Sequence, residues 1–125
     1  MKQFIRAYLT DCSDRENFRF SVTCIECGTV WKSTPIRFSK AREKPLTEAK
    51  RIIVQALYER EQARAFEDAV NEAVHHFNIC PLCRRLICNR CFLICDDLDM
   101  CRTCAGYLQE KGEAVEEEQE QLVGV

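Results

Sequence analysis

The sequence CPLCRRLICNRC at residues 80–91 contains two Cys-x-x-Cys pairs that are separated by only four residues. The same spacing occurs at two other places, so that four pairs use eight of the ten cysteines. A turn with two intervening residues can bring both sulfurs to about 2.3 Å from one metal ion, and a tetrahedral ion then needs a second pair. The sequence therefore predicts two four-thiolate metal sites, formed by Cys24, Cys27, Cys80, Cys83, Cys88, Cys91, Cys101 and Cys104.

Zinc is the metal that this donor set favours, and we expect two structural zinc ions as cofactors. Iron also accepts four thiolates on a tetrahedron and is the alternative metal. A dithiol redox switch is the alternative function of a Cys-x-x-Cys pair. Four copies in one small chain, without a βαβ pattern around them, argue against redox catalysis.

The chain has 125 residues, which is the length of one domain with a modest core. It shows no apolar N-terminal segment typical of a signal peptide, and its aliphatic runs are far shorter than a membrane span. In a reducing cytosol, paired cysteines bind metal more often than they form disulfides. We therefore expect a cytoplasmic protein without a membrane partner.

Strand patterns occupy the N-terminal part of the chain. Residues 3–10 and 17–23 are predicted as strands joined by a turn, the second from its alternation of apolar and polar side chains. A third strand is predicted over residues 29–38, where Pro35 restricts it to an edge or a bulge. These segments predict a small antiparallel sheet.

Residues 45–77 have a strongly helical composition, with Pro45 suited to the first helical position. We expect one continuous helix of about 50 Å rather than a helical hairpin, because no turn residue interrupts it. Residues 28–44 must then run out along this helix, so that Cys27 and Cys80 can lie in the same zinc-binding head. Its middle, residues 58–64, is mostly polar and is predicted to be an exposed waist. The predicted apolar stripe consists of Leu46, Ala49, Ile53, Ala56, Ala63, Phe66, Val70, Ala73 and Phe77.

Together these patterns predict a small α+β zinc-binding domain with a short antiparallel sheet and a long helical insertion. Residues 1–38 would form the N-terminal strands with the first cysteine pair, and residues 39–78 the helical insertion. Residues 79–108 would form a zinc-binding head with three pairs. Residues 109–125 contain six glutamates against Lys111 and are predicted to be a disordered acidic tail, so the rest of the chain is mildly basic.

The spacing leaves open which pairs share an ion. One ion held by all four cysteines of residues 80–91 would be cramped, because only four residues separate the two pairs. Sequential grouping would combine the first pair with the second and the third with the fourth. Interleaved grouping would combine the first with the third and the second with the fourth. The set of eight ligands is the same in both.

Two resemblances bear on this choice. CIECG at residues 24–28 with CPLC at residues 80–83 resembles the facing knuckles of zinc ribbons and rubredoxins, which implies sequential grouping. HHFNICPLCRRLICNRC at residues 75–91 resembles the FYVE consensus and, more generally, cross-brace fingers of the FYVE, PHD and RING type, which implies interleaved grouping. We favour the interleaved grouping. The segment after Cys104 is similar to the helix that follows the last ligand pair in treble-clef fingers.

The FYVE resemblance does not extend to lipid binding. Ala73 and Val74 precede the His pair, and Pro81 follows Cys80, where lipid-binding FYVE domains place arginines around their histidines. The histidines themselves, His75 and His76, are interpreted as ordinary residues at a helix end.

Four further residues have individual predictions. Gly28 follows the first pair and is expected to adopt a positive φ. Cys95 is expected in the core, Cys12 in an exposed turn, and Trp31 as a cover of the core.

No catalytic constellation is recognisable, and a closed four-thiolate zinc site leaves no position for water, so we expect no enzyme and no small-molecule substrate. The leading interpretation is a zinc-binding adaptor for protein–protein interaction, with self-association through the long helix as one form of it. The alternative is a nucleic-acid-binding protein of the zinc-ribbon type with a regulatory role. Candidate contacts to nucleic acid or to an acidic partner are Arg84, Arg85, Arg90 and Arg102.

Overall fold

The computed structural model describes residues 1–94 and 98–111. In this part of the chain, three α-helices and nine short strands form an α+β fold, as predicted. The helices are α1 (Lys2–Tyr8), α2 (Glu48–Ala73) and α3 (Arg102–Lys111). The strands are β1 (Thr10–Asp11), β2 (Asn17–Phe18), β3 (Phe20–Thr23), β4 (Val30–Lys32), β5 (Ile36–Arg37), β6 (Phe77–Ile79), β7 (Leu86–Cys88), β8 (Phe92–Leu93) and β9 (Met100–Cys101).

The chain divides into two compact units. The helical unit contains residues 2–23 and 30–75. The cysteine unit contains Cys24–Thr29, the described residues from His76 onward, and Met1. Two predictions concern residues outside the described ones: the core position of Cys95 and the disorder of the acidic tail beyond residue 111.

Helix α2 is continuous over 26 residues, about 39 Å at the usual rise, which confirms the prediction of an uninterrupted helix. It is shorter than the predicted range of 45–77. Thr47 caps its N-terminus by accepting a hydrogen bond from the Lys50 N–H at 3.1 Å, so the helix begins after Pro45 rather than at it. At its other end the chain leaves the helix and enters β6 at Phe77.

The predicted strand over residues 3–10 is wrong, because Lys2–Tyr8 forms a helix. Ile5 is buried and Leu9, four residues later, packs against the core of the helical unit, a spacing that a helix can satisfy. Arg6 points outward and forms an ion pair of 2.7 Å with Glu67 of α2. A segment of this length is too short for its apolar residues to distinguish the period of a helix from that of a strand.

The predicted second and third strands are each divided in two. Strand β3 lies between β1 and β4 in an antiparallel sheet, with Asp11 opposite Phe20 and Val22 opposite Trp31. Strands β2 and β5 form a separate antiparallel pair. Pro35 lies between β4 and β5, where its missing N–H would interrupt a longer strand.

Aromatic side chains form the core of the helical unit. Phe18, Phe20 and Phe38 are buried against α2, where Ala65 and Ala69 allow close approach. The ring of Phe18 lies 4.9 Å from that of Tyr58 and 5.9 Å from that of Phe38, measured between centroids. Trp31, predicted as core cover, is half-buried.

The polar middle of α2 is exposed only in part: Glu59, Arg60, Ala63 and Arg64 are exposed. Glu61 and Gln62 are half-buried, and Gln62 donates a hydrogen bond of 2.6 Å to Asp11. The predicted stripe is also wrong as far as Ala63, because Leu46, Ala49, Ile53, Ala56 and Ala63 are exposed. Val54, Leu57 and Tyr58 pack on the core instead. In this part of α2, the buried face is therefore shifted by one residue relative to the predicted stripe.

The segment before α2 runs antiparallel to the helix, as the length of the helix required. The Thr34 N–H donates to Glu72 at 3.1 Å, near the C-terminus of α2. The Ser39 N–H donates to Glu61 at 3.0 Å, about three turns earlier. These two contacts confirm for residues 34–39 the prediction that the chain runs out along the helix before α2 begins.

In the cysteine unit, two short hairpins precede α3. Strands β6 and β7 pair with Phe77 opposite Cys88, and β8 and β9 pair with Phe92 opposite Cys101. Phe77, Leu86 and Ile87 are buried and form its apolar interior. Among the described residues, no helix combines the length and the apolar composition that crossing a membrane requires.

Candidate metal centres

The structure brings the eight predicted cysteines into two groups of four. The first cysteine group contains Cys24, Cys27, Cys88 and Cys91. The second cysteine group contains Cys80, Cys83, Cys101 and Cys104. The pairs alternate along the chain, so the favoured interleaved grouping is the observed one and the sequential grouping is wrong.

Each group contains one knuckle, a tight turn built from the chain around a Cys-x-x-Cys pair. In the first group the Gly28 N–H donates to the carbonyl of Cys24 at 2.8 Å, and the Cys24 N–H donates to the carbonyl of Thr29 at 2.9 Å. Gly28 has a φ of 77°, which confirms the predicted positive φ.

The second group repeats this knuckle with a different residue at the strained position. The Arg84 N–H donates to the carbonyl of Cys80 at 2.7 Å, and the Cys80 N–H donates to the carbonyl of Arg85 at 3.1 Å. Arg84 has a φ of 63° and thus occupies the place of Gly28. Sequence reasoning missed this role of Arg84, although its position directly after a Cys-x-x-Cys pair matched that of Gly28.

The other pair of each group lies at the start of a helical turn. Cys88 ends β7 and Cys91 ends the short 3₁₀ turn that follows. Cys101 ends β9 and Cys104 lies in the first turn of α3. The two antiparallel hairpins therefore position these two cysteine pairs.

Backbone N–H groups point at several of the sulfurs. The Cys88 N–H donates to Cys24 Sγ at 3.3 Å in the first group. In the second group the Cys101 N–H donates to Cys80 Sγ at 3.5 Å, and the Cys104 N–H donates to Cys101 Sγ at 3.4 Å. Such donors stabilise thiolates and orient them as ligands.

The distances between sulfurs fit a tetrahedral metal ion. Cys27 and Cys88 are 3.8 Å apart at Sγ, Cys80 and Cys104 are 3.7 Å apart, and Cys83 and Cys101 are 3.8 Å apart. Four sulfurs at about 2.3 Å from a central ion form a tetrahedron with edges of about 3.8 Å. A disulfide would need about 2.05 Å. Each group can therefore hold one metal ion.

The thiol pKa values within a group diverge. Hydrogen bonding to Thr29, whose hydroxyl lies 3.1 Å from the sulfur, lowers the pKa of Cys27 to about 6. Burial, followed by its interactions with Cys27 and Cys88, raises the pKa of Cys91 to about 12. Adjacent thiolates repel each other, so the four sulfurs of a group ionise together only with a cation among them, and a divalent ion supplies that charge.

Two of the four arginines named as candidate contacts are engaged around the cysteine groups. Arg85 donates from Nε to Cys83 Sγ at 3.2 Å and from Nη2 to Cys101 Sγ at 3.5 Å. Arg90 donates from Nη2 to the Thr29 hydroxyl at 3.0 Å. Arg84 and Arg102 are exposed.

The remaining candidates lie outside both groups. His75 and His76 are exposed at the end of α2 and are not members of either group. Cys12 is exposed, as predicted, and its Sγ lies 3.3 Å from the hydroxyl of Ser21.

Comparisons of the chain with models of known protein families, with curated proteins and with solved structures find no match. The cysteine geometry is therefore the principal guide to function.

Proposed function

We propose that this protein is a non-catalytic adaptor whose two cysteine groups bind structural zinc ions. The observation that carries this proposal is the presence of two groups of four sulfurs with tetrahedral spacing. A zinc ion with four protein ligands has no open coordination position for a water or a substrate. Its contribution is therefore to the folding of the cysteine unit, whose described apolar interior is small.

The arrangement of the pairs supports the resemblance to cross-brace fingers. The two groups are interleaved along the chain, and the last pair lies at the start of a helix, as in treble-clef fingers. Zinc is favoured over iron because it is the usual ion of closed structural four-thiolate sites. Free thiols in such number also fit a reducing compartment such as the cytoplasm.

A protein partner is favoured over nucleic acid by the state of the arginines. Arg85 donates to two sulfurs and to Glu26, so its guanidinium is already occupied. Arg90 is held by Thr29. Within the described residues, Arg84 and Arg102 are the two of these four candidates whose guanidinium groups form no hydrogen bond, and two cations in the cysteine unit give little affinity for phosphates at physiological salt.

Metal content and chelation test the zinc proposal. Elemental analysis of purified protein should give two zinc ions per chain. A strong chelator should unfold the cysteine unit while α2 keeps part of the helical circular-dichroism signal, because the helical unit has its own aromatic core. A compact, metal-free chain whose circular-dichroism signal does not respond to the chelator would refute structural zinc. Bound iron would identify iron, rather than zinc, as the metal.

A salt-dependent gel shift separates the adaptor from the nucleic-acid alternative. The adaptor proposal predicts no retardation of DNA or RNA at low salt. Retardation that falls steeply with salt and is lost on replacing Arg84 and Arg102 would instead support a nucleic-acid function.

A further inference from the structure

A cavity of about 990 Å³ lies in the helical unit between the turn at Arg15, the segment after Phe38 and the first half of α2. Its walls include a partly buried aromatic ring, that of Tyr58. Five of the lining side chains are cationic: Arg15, Lys40, Arg42, Lys44 and Arg51. Only two are acidic, Glu16 and Glu43.

Most of these cations have no ion-pair partner among the described residues. Lys40 lies 3.7 Å from Glu43. Within residues 1–94 and 98–111, Arg15, Arg42, Lys44 and Arg51 form no ion pair. Several unpaired cations around one concave surface repel each other and create a positive potential there. An anionic ligand would relieve this repulsion.

An apolar depression of about 460 Å³ adjoins the cationic cavity. The two share Arg51 and Gln55 of α2. The rest of the depression is lined by Ile52, Ala56, Glu48 and Glu59, so its two acids favour an apolar rather than an acidic side chain there. Ile52 exposes 64% of its surface. A ligand that covered both regions would neutralise cations at one end and bury an isoleucine at the other.

We propose that this combined surface binds an acidic peptide segment of a partner protein, with carboxylates in the cationic cavity and an apolar side chain on Ile52. This inference rests on the proposed adaptor function and specifies its partner. A nucleic acid would satisfy the cations, but its phosphates would leave the isoleucine uncovered. A segment with acidic and apolar residues matches both parts.

Fluorescence anisotropy with two labelled probes tests the proposal. One probe is a peptide of repeated Glu-Glu-Leu units, and the other is a single-stranded oligothymidylate of similar length. The protein should bind the peptide saturably at low salt and more weakly as salt rises. A peptide of repeated Gln-Gln-Leu units should not bind, because it lacks the carboxylates.

Two neighbouring residues of α2 provide a matched pair of variants. Arg51→Glu reverses a charge inside the cavity and should weaken peptide binding by about fivefold or more. Lys50→Glu reverses the charge of the preceding residue, which lines neither the cationic cavity nor the apolar depression. It should change peptide binding by less than about twofold. Ile52→Ser should also weaken the Glu-Glu-Leu peptide. All three positions are exposed, and retained helical circular dichroism would show that the fold persists.

Several outcomes would overturn the proposal: no saturable peptide binding, equal effects of the two charge reversals, or oligothymidylate binding that depends on Arg51 but not on Ile52. Self-association of the chain that is lost in Arg51→Glu would identify a second copy as the occupant instead. The zinc content of the same samples separates failure of the peptide-binding proposal from failure of the proposed zinc-binding function. Failure to bind peptide with two zinc ions present rejects only this surface, whereas absence of zinc rejects the proposed function.

Discussion

The carboxylate of Glu26 accepts a hydrogen bond from Nη2 of Arg85 at 3.1 Å, and this pair connects the two cysteine groups. Glu26 lies between Cys24 and Cys27 of the first group, whereas Arg85 donates to two sulfurs of the second. The second oxygen of Glu26 accepts a hydrogen bond from Thr103, which lies within the last Cys-x-x-Cys pair. Both side chains are largely buried, with 13% of Glu26 and 31% of Arg85 exposed. The first knuckle therefore helps to place a cation beside the second group.

Replacing Arg85 should weaken metal binding at one site more than at the other. Arg85→Ala removes two N–H donors from the second group and leaves Glu26 without its charge partner, so we expect that site to lose about tenfold in zinc affinity. Arg85→Lys keeps the charge but not the planar fork, and should give an intermediate loss. Titration with a chromophoric chelator should show one zinc ion leaving before the other.

The control for this prediction is Arg102→Ala, which removes an exposed arginine next to Cys101 without a hydrogen bond to sulfur. It should release the two proposed zinc ions in the same way as the unmodified protein. Equal loss in both variants would mean that general positive charge, rather than the Arg85 contacts, supports the second group.

Removing a glycine from the first knuckle and introducing one into the second should have opposite effects on stability. Gly28→Ala should destabilise the protein by roughly 1 kcal/mol, because the residue has a φ of 77°. A Cβ there would meet no atom within 4 Å, so the expected effect is conformational rather than steric crowding. Arg84→Gly should be neutral or stabilising by up to about 1 kcal/mol, since it relieves the same backbone strain at φ 63°. Chemical denaturation measures both, and a strongly destabilising Arg84→Gly would contradict the equivalence of the knuckles.

Single cysteine replacements should separate ligands from bystanders. Cys27→Ser removes one sulfur of the first group, and we expect the zinc content to fall from two ions towards one per chain. Cys12→Ser changes a cysteine that is exposed and outside both groups, so the zinc content should stay at two. Elemental analysis distinguishes these results, and equal zinc contents for the two variants would show that Cys27 is not a ligand.

The contact between Ser39 and Glu61 predicts a pH-dependent contribution to stability. Hydrogen bonds from the hydroxyl and the N–H of Ser39 lower the pKa of Glu61 below its usual value. A depressed folded-state pKa stabilises the protein above the usual glutamate pKa of about 4.3, and this stabilisation disappears as the pH falls through the folded-state value. Glu61→Gln should therefore be less stable than the unmodified protein near neutral pH, and the difference should shrink in acid.

Denaturation of both proteins over a range of pH measures this difference. Acid would release the proposed metal ions from both proteins alike, so this effect cancels in the comparison. A difference that stays constant between neutral and acidic pH would show that the carboxylate charge does not contribute.

Sequence reasoning succeeded where the local pattern was strong. The repeated Cys-x-x-Cys spacing identified all members of the two groups, because the short turn between paired cysteines is a local property. The unbroken helical composition identified α2, although Thr47 rather than Pro45 sets its start. The strand expected at residues 3–10 was wrong because a short segment follows its tertiary packing, here the burial of Ile5, more than its intrinsic preference.

The sequence by itself determined which residues carry sulfur at metal-binding spacing and which long segment is helical, since both depend on neighbours along the chain. Only the tertiary structure decided how the four pairs combine, which face of α2 is covered, and that Glu26 meets Arg85. These features join residues that are tens of positions apart. Their arrangement depends on the hairpins and on aromatic packing, which local spacing does not specify.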